Sequence, residues 1–243
     1  KKVHPQLKAS VVVEKILADL NAAREVLKSV DPVFDDTFRD QNMNYHYAQP
    51  YKNDIFMSYR AYRMNYYAVT GLMARVYNYI GDKENAYKYA KEVIDAADDG
   101  AFWFASEYDV SAPLKNRDVV MQSELLFALN CSNIQDIYYS IDAKNSSTLS
   151  LLEVNNIYGE SSDFRHNLIG ESTTSGKTIS YKYAKIDSEM GGKIPMIRLS
   201  EMYLIAAESY YATDKEVAAD FIGTVRLMRG ISSDVKSDTY EQL

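Results

Sequence analysis

Between Met196 and Gly230 the apolar positions Ile197, Met202, Ile205, Ala206 and Tyr210 recur at roughly helical spacing, beginning just after Pro195. Thr213 and Asp214 interrupt the run, and Asp214 is suited to accept backbone N–H bonds at the start of a second helix. That helix carries Val217, Ala218, Phe221, Ile222 and Val225 inward, is expected to hold Arg226 and Arg229 in its last turn, and stops at Gly230. The pattern predicts two antiparallel helices with small residues where they cross.

The same pattern occurs earlier, from Tyr66 to Ala97. Ala74, Tyr77, Ala86, Ala90 and Val93 occupy the roles that Ala207, Tyr210, Ala218, Ile222 and Val225 hold in the later copy. Asp-Lys-Glu opens the second helix in both, at Asp82 and at Asp214. Ala and Tyr at these spacings make helical hairpins of tetratricopeptide type. The hairpins are expected at about 60–98 and 196–230, with helix already running from near Asp54. Residues 101–195 lie between them, which a simple tandem solenoid does not allow.

Elsewhere the periodicity is weaker. Val13, Ile16, Leu17, Leu20, Ala23 and Leu27 line one face of a helix from Ser10 to Lys28, with Ser10 as expected cap and Asp31-Pro32 as its end. Residues 33–53 form a polar loop of about twenty residues, a length that is often functional, with an aromatic cluster at Tyr45, His46 and Tyr47. Ser123 to Leu129 reads as a buried extended segment and Tyr181 to Tyr183 as a short strand leading to Gly191-Gly192. The stretch from Asn130 to Ser180, rich in Asn, Ser, Thr and Gly, reads as loops on a helical scaffold, where binding usually resides; Ser172 to Lys177 reads as an exposed turn. The fold class is therefore mainly α, with hairpins as scaffold, a loop-rich insertion at about 101–195 and a few short strands.

Composition then narrows the function. A net charge of −7 and a pI near 5.1 speak against a sequence-independent hold on nucleic-acid phosphates. The single Cys131 excludes an internal disulfide or a multi-cysteine zinc site. His4, His46 and His166 are isolated, and no nucleophile elbow or phosphate-cradling glycine loop is present, so no catalytic centre, metal or cofactor is expected. Glu201 and Glu208 read as solvated or as partners of Arg198 and the terminal arginines. No apolar run approaches the ~20 residues of a transmembrane helix. Tyrosine is abundant, with 21 residues against one tryptophan, and serves either helix packing or stacking on ligands. Trp103, between Phe102 and Phe104, is open to both uses: a ring for a sugar face or part of a plug beyond a helix end. Tyr138, Tyr139 and Tyr158 are the further candidate rings. Arg165 is the candidate guanidinium, with pinning of its own loop through Asp163 as the other reading.

Several segments together resemble a known family. Ile197 to Ser209 with Thr224 to Gly230 is similar to the most characteristic stretch of SusD/RagB proteins, nutrient-binding outer-membrane lipoproteins of Bacteroidetes. Ile16 to Ala23, Ala74 to Tyr77 with Ala90 and Val93-Ile94, Ser123 to Phe127, and Ser162 to Arg165 resemble the same family in the same order. The resemblance implies a single SusD-like domain over 1–243, with N- and C-terminal parts lying beyond it. It implies a non-enzymatic protein that captures glycans, or in some members peptides, at the cell surface. The implied partner is a TonB-dependent transporter of SusC type, and the implied membrane contact is a lipid anchor outside these residues. The alternative reading is a tetratricopeptide scaffold binding peptides or proteins. A hydrolase with its site outside these residues is the third.

Overall fold

The computed structural model describes residues 6–35, 52–143, 154, 156–172, 176–183 and 192–232. The architecture is mainly α. The first helix, α1 (Ala9–Val30), starts after Lys8 without a side-chain cap, so Ser10 lies inside the helix. Only part of its apolar face meets the core, through Leu20, Ala23 and Leu27, while Ile16 stays exposed. Asp31 ends the helix as expected and does more. Buried, it pairs with Arg60 at 2.6 Å and accepts the backbone N–H groups of Val33 and Tyr66, tying α1 to the next hairpin.

That hairpin is α2 (Tyr66–Tyr79) and α3 (Lys83–Asp98). Helix does not run from Asp54. Asp54 instead caps a single 3-10 turn, Ile55–Met57, and Tyr59 takes a left-handed φ of 58° that breaks the chain before Asn65 caps α2 through the Ala68 N–H. Asp82 caps α3 by accepting from Asn85. A short helix, α4 (Glu107–Ser111), follows behind a capping box between Ser106 and Asp109.

The extended segment read at Ser123 to Leu129 is strand β1 (Leu125–Asn130). The polar stretch after it, expected as loops, contains helix α5 (Ile134–Ala143). Ile134, Ile137 and Tyr138 carry enough helical periodicity to fold there, although Asn and Ser surround them. Next come β2 (Ile169–Glu171) and β3 (Thr178–Ser180), which pair antiparallel. Tyr181–Tyr183 is a 3-10 turn and not a strand: the Ser180 hydroxyl accepts the Lys182 N–H and starts the turn. Strand β4 (Lys193–Arg198) then pairs antiparallel with β1, with irregular register at Phe127.

The second hairpin is α6 (Leu199–Tyr210) and α7 (Lys215–Leu227), capped at Asp214 by bonds from Glu216 and Val217. It packs directly on the first, α6 against α3, so the hairpins are adjacent repeats in space although far apart in sequence. Small residues make the close approach, with Ala74, Ala86, Ala90, Ala206, Ala207 and Ala218 all buried. Tyrosines fill the rest. Tyr77 stacks on Tyr89 at 5.4 Å within one hairpin, and Tyr87 stacks on Tyr210 at 4.4 Å between the two. Glu201 and Glu208, expected to be solvated or to pair with Arg198 and the terminal arginines, reach across to the first hairpin, to Arg75 at 2.6 Å and Lys83 at 2.5 Å.

Candidate functional site

The site is built where the loop-rich segment meets the end of the second hairpin. Asp118 accepts the N–H groups of Val120 and Gln122, and Met121 takes a left-handed φ of 55°, which turns the chain into β1. This turn delivers Glu124 into the interior, where it is fully buried. The end of α7 supplies its counter-ion. Arg229 lies beyond the helix, which stops at Leu227, and donates to both Glu124 oxygens at 2.5 and 2.6 Å. Glu124 also accepts the Ala105 N–H, and its carboxylate lies 3.7 Å from Arg198 at the end of β4.

Asp163 caps the 3-10 turn Phe164–Leu168 and receives the Arg165 side chain through Nε at 2.9 Å and Nη2 at 2.6 Å. Burial pushes the Asp163 carboxyl up, but the Arg165 guanidinium and backbone N–H outweigh it and hold the acid below its ordinary range. Gly230, at a φ of 84°, lets the chain pass so close to Ser162 that a β-carbon there would sit 2.4 Å from its carbonyl oxygen. The Arg229 carbonyl then accepts the Phe164 N–H.

These elements enclose a cavity of about 240 Å³ whose wall carries Arg165, Lys182, Arg198 and Arg229, with Tyr158 at one side. Among the described residues no acidic side chain is on that wall. Desolvation, and then repulsion from Arg198, push the Lys182 ammonium below its ordinary range. Burial likewise lowers Arg198, which Glu124 opposes and Arg229 reinforces. Among the described residues the buried Arg198 Nε has no hydrogen-bond partner.

Of the residues singled out in the sequence, Tyr158 and Arg165 come together here, the guanidinium 5.1 Å from the ring centroid. The loop-pinning reading of Arg165 holds as well, since the same group pairs with Asp163. Tyr138 adjoins the cavity through Ser180, whose carbonyl accepts its hydroxyl at 3.1 Å, and its ring is 6.3 Å from Tyr183. Tyr139, next on α5, is exposed at 42% and lines no part of the cavity. Trp103 is also apart from it. Phe102 is buried against Tyr67 and the partly buried Phe104 packs against Tyr203, so these two form the plug, whereas Trp103 between them is 37% exposed. His166 lies beside Tyr158 and bonds its carbonyl oxygen. His4 and the Tyr45-His46-Tyr47 cluster lie outside the described residues. Sequence reasoning missed Lys182 altogether and Glu124, Arg198 and Arg229 as a group; the available signal was single charges set against the apolar runs of β1 and β4.

A second, open groove of about 480 Å³ lies between the turn ends of the two hairpins, against Lys83, Tyr87, Glu208, Tyr210 and Tyr211. Among the described residues, no cluster of His, Cys, Asp and Glu has the makings of a metal site, and no helix is long and apolar enough to cross a membrane.

No family model matches the chain, and no curated protein matches it by sequence. Solved structures do. A SusD superfamily protein from Bacteroides thetaiotaomicron superposes with a TM-score of 0.64 and 18% identity, over 99% of this chain and 54% of that one. Another from the same organism shares 25% identity at a TM-score of 0.54, over 72% and 44% of the two chains. The chain has the fold of the SusD superfamily. Surface glycan-binding protein A from Bacteroides uniformis also superposes, with a TM-score of 0.62 and 15% identity over 97% of this chain and 54% of that one. The chain thus spans roughly half the length, or less, of the SusD-like structures it matches.

Proposed function

We propose that this chain is the scaffold-bearing part of a non-catalytic glycan-binding protein at the bacterial outer-membrane surface, which passes its ligand to a TonB-dependent transporter of SusC type. The observation that carries the reading is the fold itself, shared over nearly the whole chain with a surface glycan-binding protein. Two stacked hairpins supply the scaffold, and Trp103, Tyr138, Tyr139, Tyr158 and Arg165 all come from the stretch of sequence between them. Exposed rings suit the apolar faces of pyranoses, each worth ~1 kcal/mol beyond area burial. Binding at one site is weak on that scale, and repeated engagement of a polymer with the transporter nearby makes up the difference.

The separation of candidate rings fits an extended ligand: Tyr158 and Tyr138 beside the cavity, Trp103 and Tyr139 exposed away from it. Affinity electrophoresis of the intact protein through gels cast with different polysaccharides tests this, alongside a peptide library. Retardation by a glycan, reduced by Trp103→Ala or Tyr139→Ala, supports the reading. Retention of peptides with no glycan retarded moves the protein to the scaffold class.

A further inference from the structure

The cavity beside Tyr158 has a charge imbalance that its own structural role does not account for. Four cations reach its wall, Arg165, Lys182, Arg198 and Arg229. Among the described residues three carboxylates stand behind them: Asp163 is engaged by Arg165, Glu124 by Arg229, and Asp118, held by the Val120 and Gln122 N–H groups, acts on Arg198 through space. Glu124 is shared with Arg198 only at the longer distance of 3.7 Å. Among the described residues Lys182 has no carboxylate partner and lies over the Tyr183 ring at 5.3 Å. Placing the unpaired Lys182 beside an Arg198 that is only weakly compensated, in a half-buried wall, costs free energy, because desolvation and mutual repulsion act in the same direction. An anion in the cavity removes both costs. The buried Arg198 Nε offers a donor, and Ser200 and Ser180 add neutral polar groups to the same wall.

We propose that this cavity binds the carboxylate or sulfate of an acidic sugar residue, so that the captured glycan is an anionic one. The inference rests on the glycan-binding reading above and narrows its ligand class. At about 240 Å³ the cavity is below the ~300–1,000 Å³ typical of drug-sized sites, which suits one charged ring or its substituent and not a chain of sugars. Guanidinium groups match the planar, two-oxygen geometry of a carboxylate and the oxygens of a sulfate ester equally well. Tyr158 and Tyr138 then flank the neighbouring sugar. The rest of the glycan runs out over the exposed surface.

The test is calorimetric titration of the intact protein with an oligogalacturonate, a sulfated galactan oligosaccharide and a neutral gluco-oligosaccharide of equal length. An acidic oligosaccharide is expected to bind about tenfold tighter than the neutral one at low salt, and the stronger of the two acidic arms identifies carboxylate or sulfate. Lys182→Gln is expected to cut that advantage about fivefold and leave neutral binding unchanged. Equal affinity for acidic and neutral ligands, or indifference to Lys182→Gln, overturns the inference while glycan binding stands. If no oligosaccharide binds, the glycan reading fails, and galacturonate against glucose in a thermal-shift assay decides the cavity by itself. A rise in melting temperature with galacturonate that Lys182→Gln abolishes sustains an anion site; no rise overturns it.

Discussion

Glu124 and Arg229 stand 105 residues apart in sequence and meet in a two-point ion pair inside the protein. Glu124 precedes β1, and Arg229 follows the last turn of α7. The pair therefore fixes the start of the small β1–β4 sheet to the end of the second hairpin. Removing one partner leaves a buried charge uncompensated. Glu124→Gln is expected to destabilise the protein by about 3–5 kcal/mol in chemical denaturation. Adding Arg229→Met to it should recover part of the loss, because the strongest unpaired charge is then gone.

The chain crossing at Gly230 makes a sharper geometric claim. Gly230 and Gly81 have nearly the same left-handed φ, 84° and 80°, but only Gly230 faces an obstruction, the Ser162 carbonyl. Gly81→Ala is expected to cost about 1 kcal/mol, the steric price of the left-handed backbone. Gly230→Ala should cost about 3 kcal/mol, since the loop carrying Asp163 and Arg165 has to shift as well. Equal losses for the two variants in urea titrations would show that the close approach is not real.

How far the sequence is legible depends on the range of the forces involved. The hairpins are readable because caps and small-residue spacing are local: Asp82 and Asp214 cap as their positions predict, and Ala86 and Ala218 are buried. Helix α5 is hidden because its apolar run, from Ile134 to Ile141, is short and flanked by the turn-forming Asn130 to Asn133 and Lys144 to Ser147. The partners of Glu201 and Glu208 are hidden for a different reason, as they depend on which helices stack. The cavity is the least legible of all. Arg165 is visible next to Asp163 in sequence, whereas Lys182, Arg198 and Arg229 converge only once the strands and the second hairpin are in place.

Tyrosine usage can be divided by experiment in the same way. Tyr87 and Tyr210 stack across the two hairpins with ring centroids 4.4 Å apart and planes 24° from parallel. A double-mutant cycle with Tyr87→Leu and Tyr210→Leu is expected to give a coupling of about 0.5–1.5 kcal/mol. Additive losses would mean that the rings serve as bulk alone.

The lowered Lys182 ammonium sets a pH dependence. Its folded pKa lies below the ordinary 10.5, so between those two values the unfolded chain binds more protons, and stability rises with pH across that window. Below the folded pKa the charged lysine is a constant cost, set by desolvation and by Arg198. Lys182→Met is therefore expected to raise the melting temperature at neutral pH and to flatten this rise toward alkaline pH. A lower melting temperature at neutral pH would show that the ammonium is stabilising where it stands.

The most direct measurement for the central claim is calorimetric titration of the intact protein with soluble oligosaccharides, each mixture afterwards resolved by chromatography. Non-catalytic capture predicts saturable binding to at least one glycan, with every oligosaccharide recovered at its original length. Shortened products, or heat signals from peptides with none from any glycan, would contradict it.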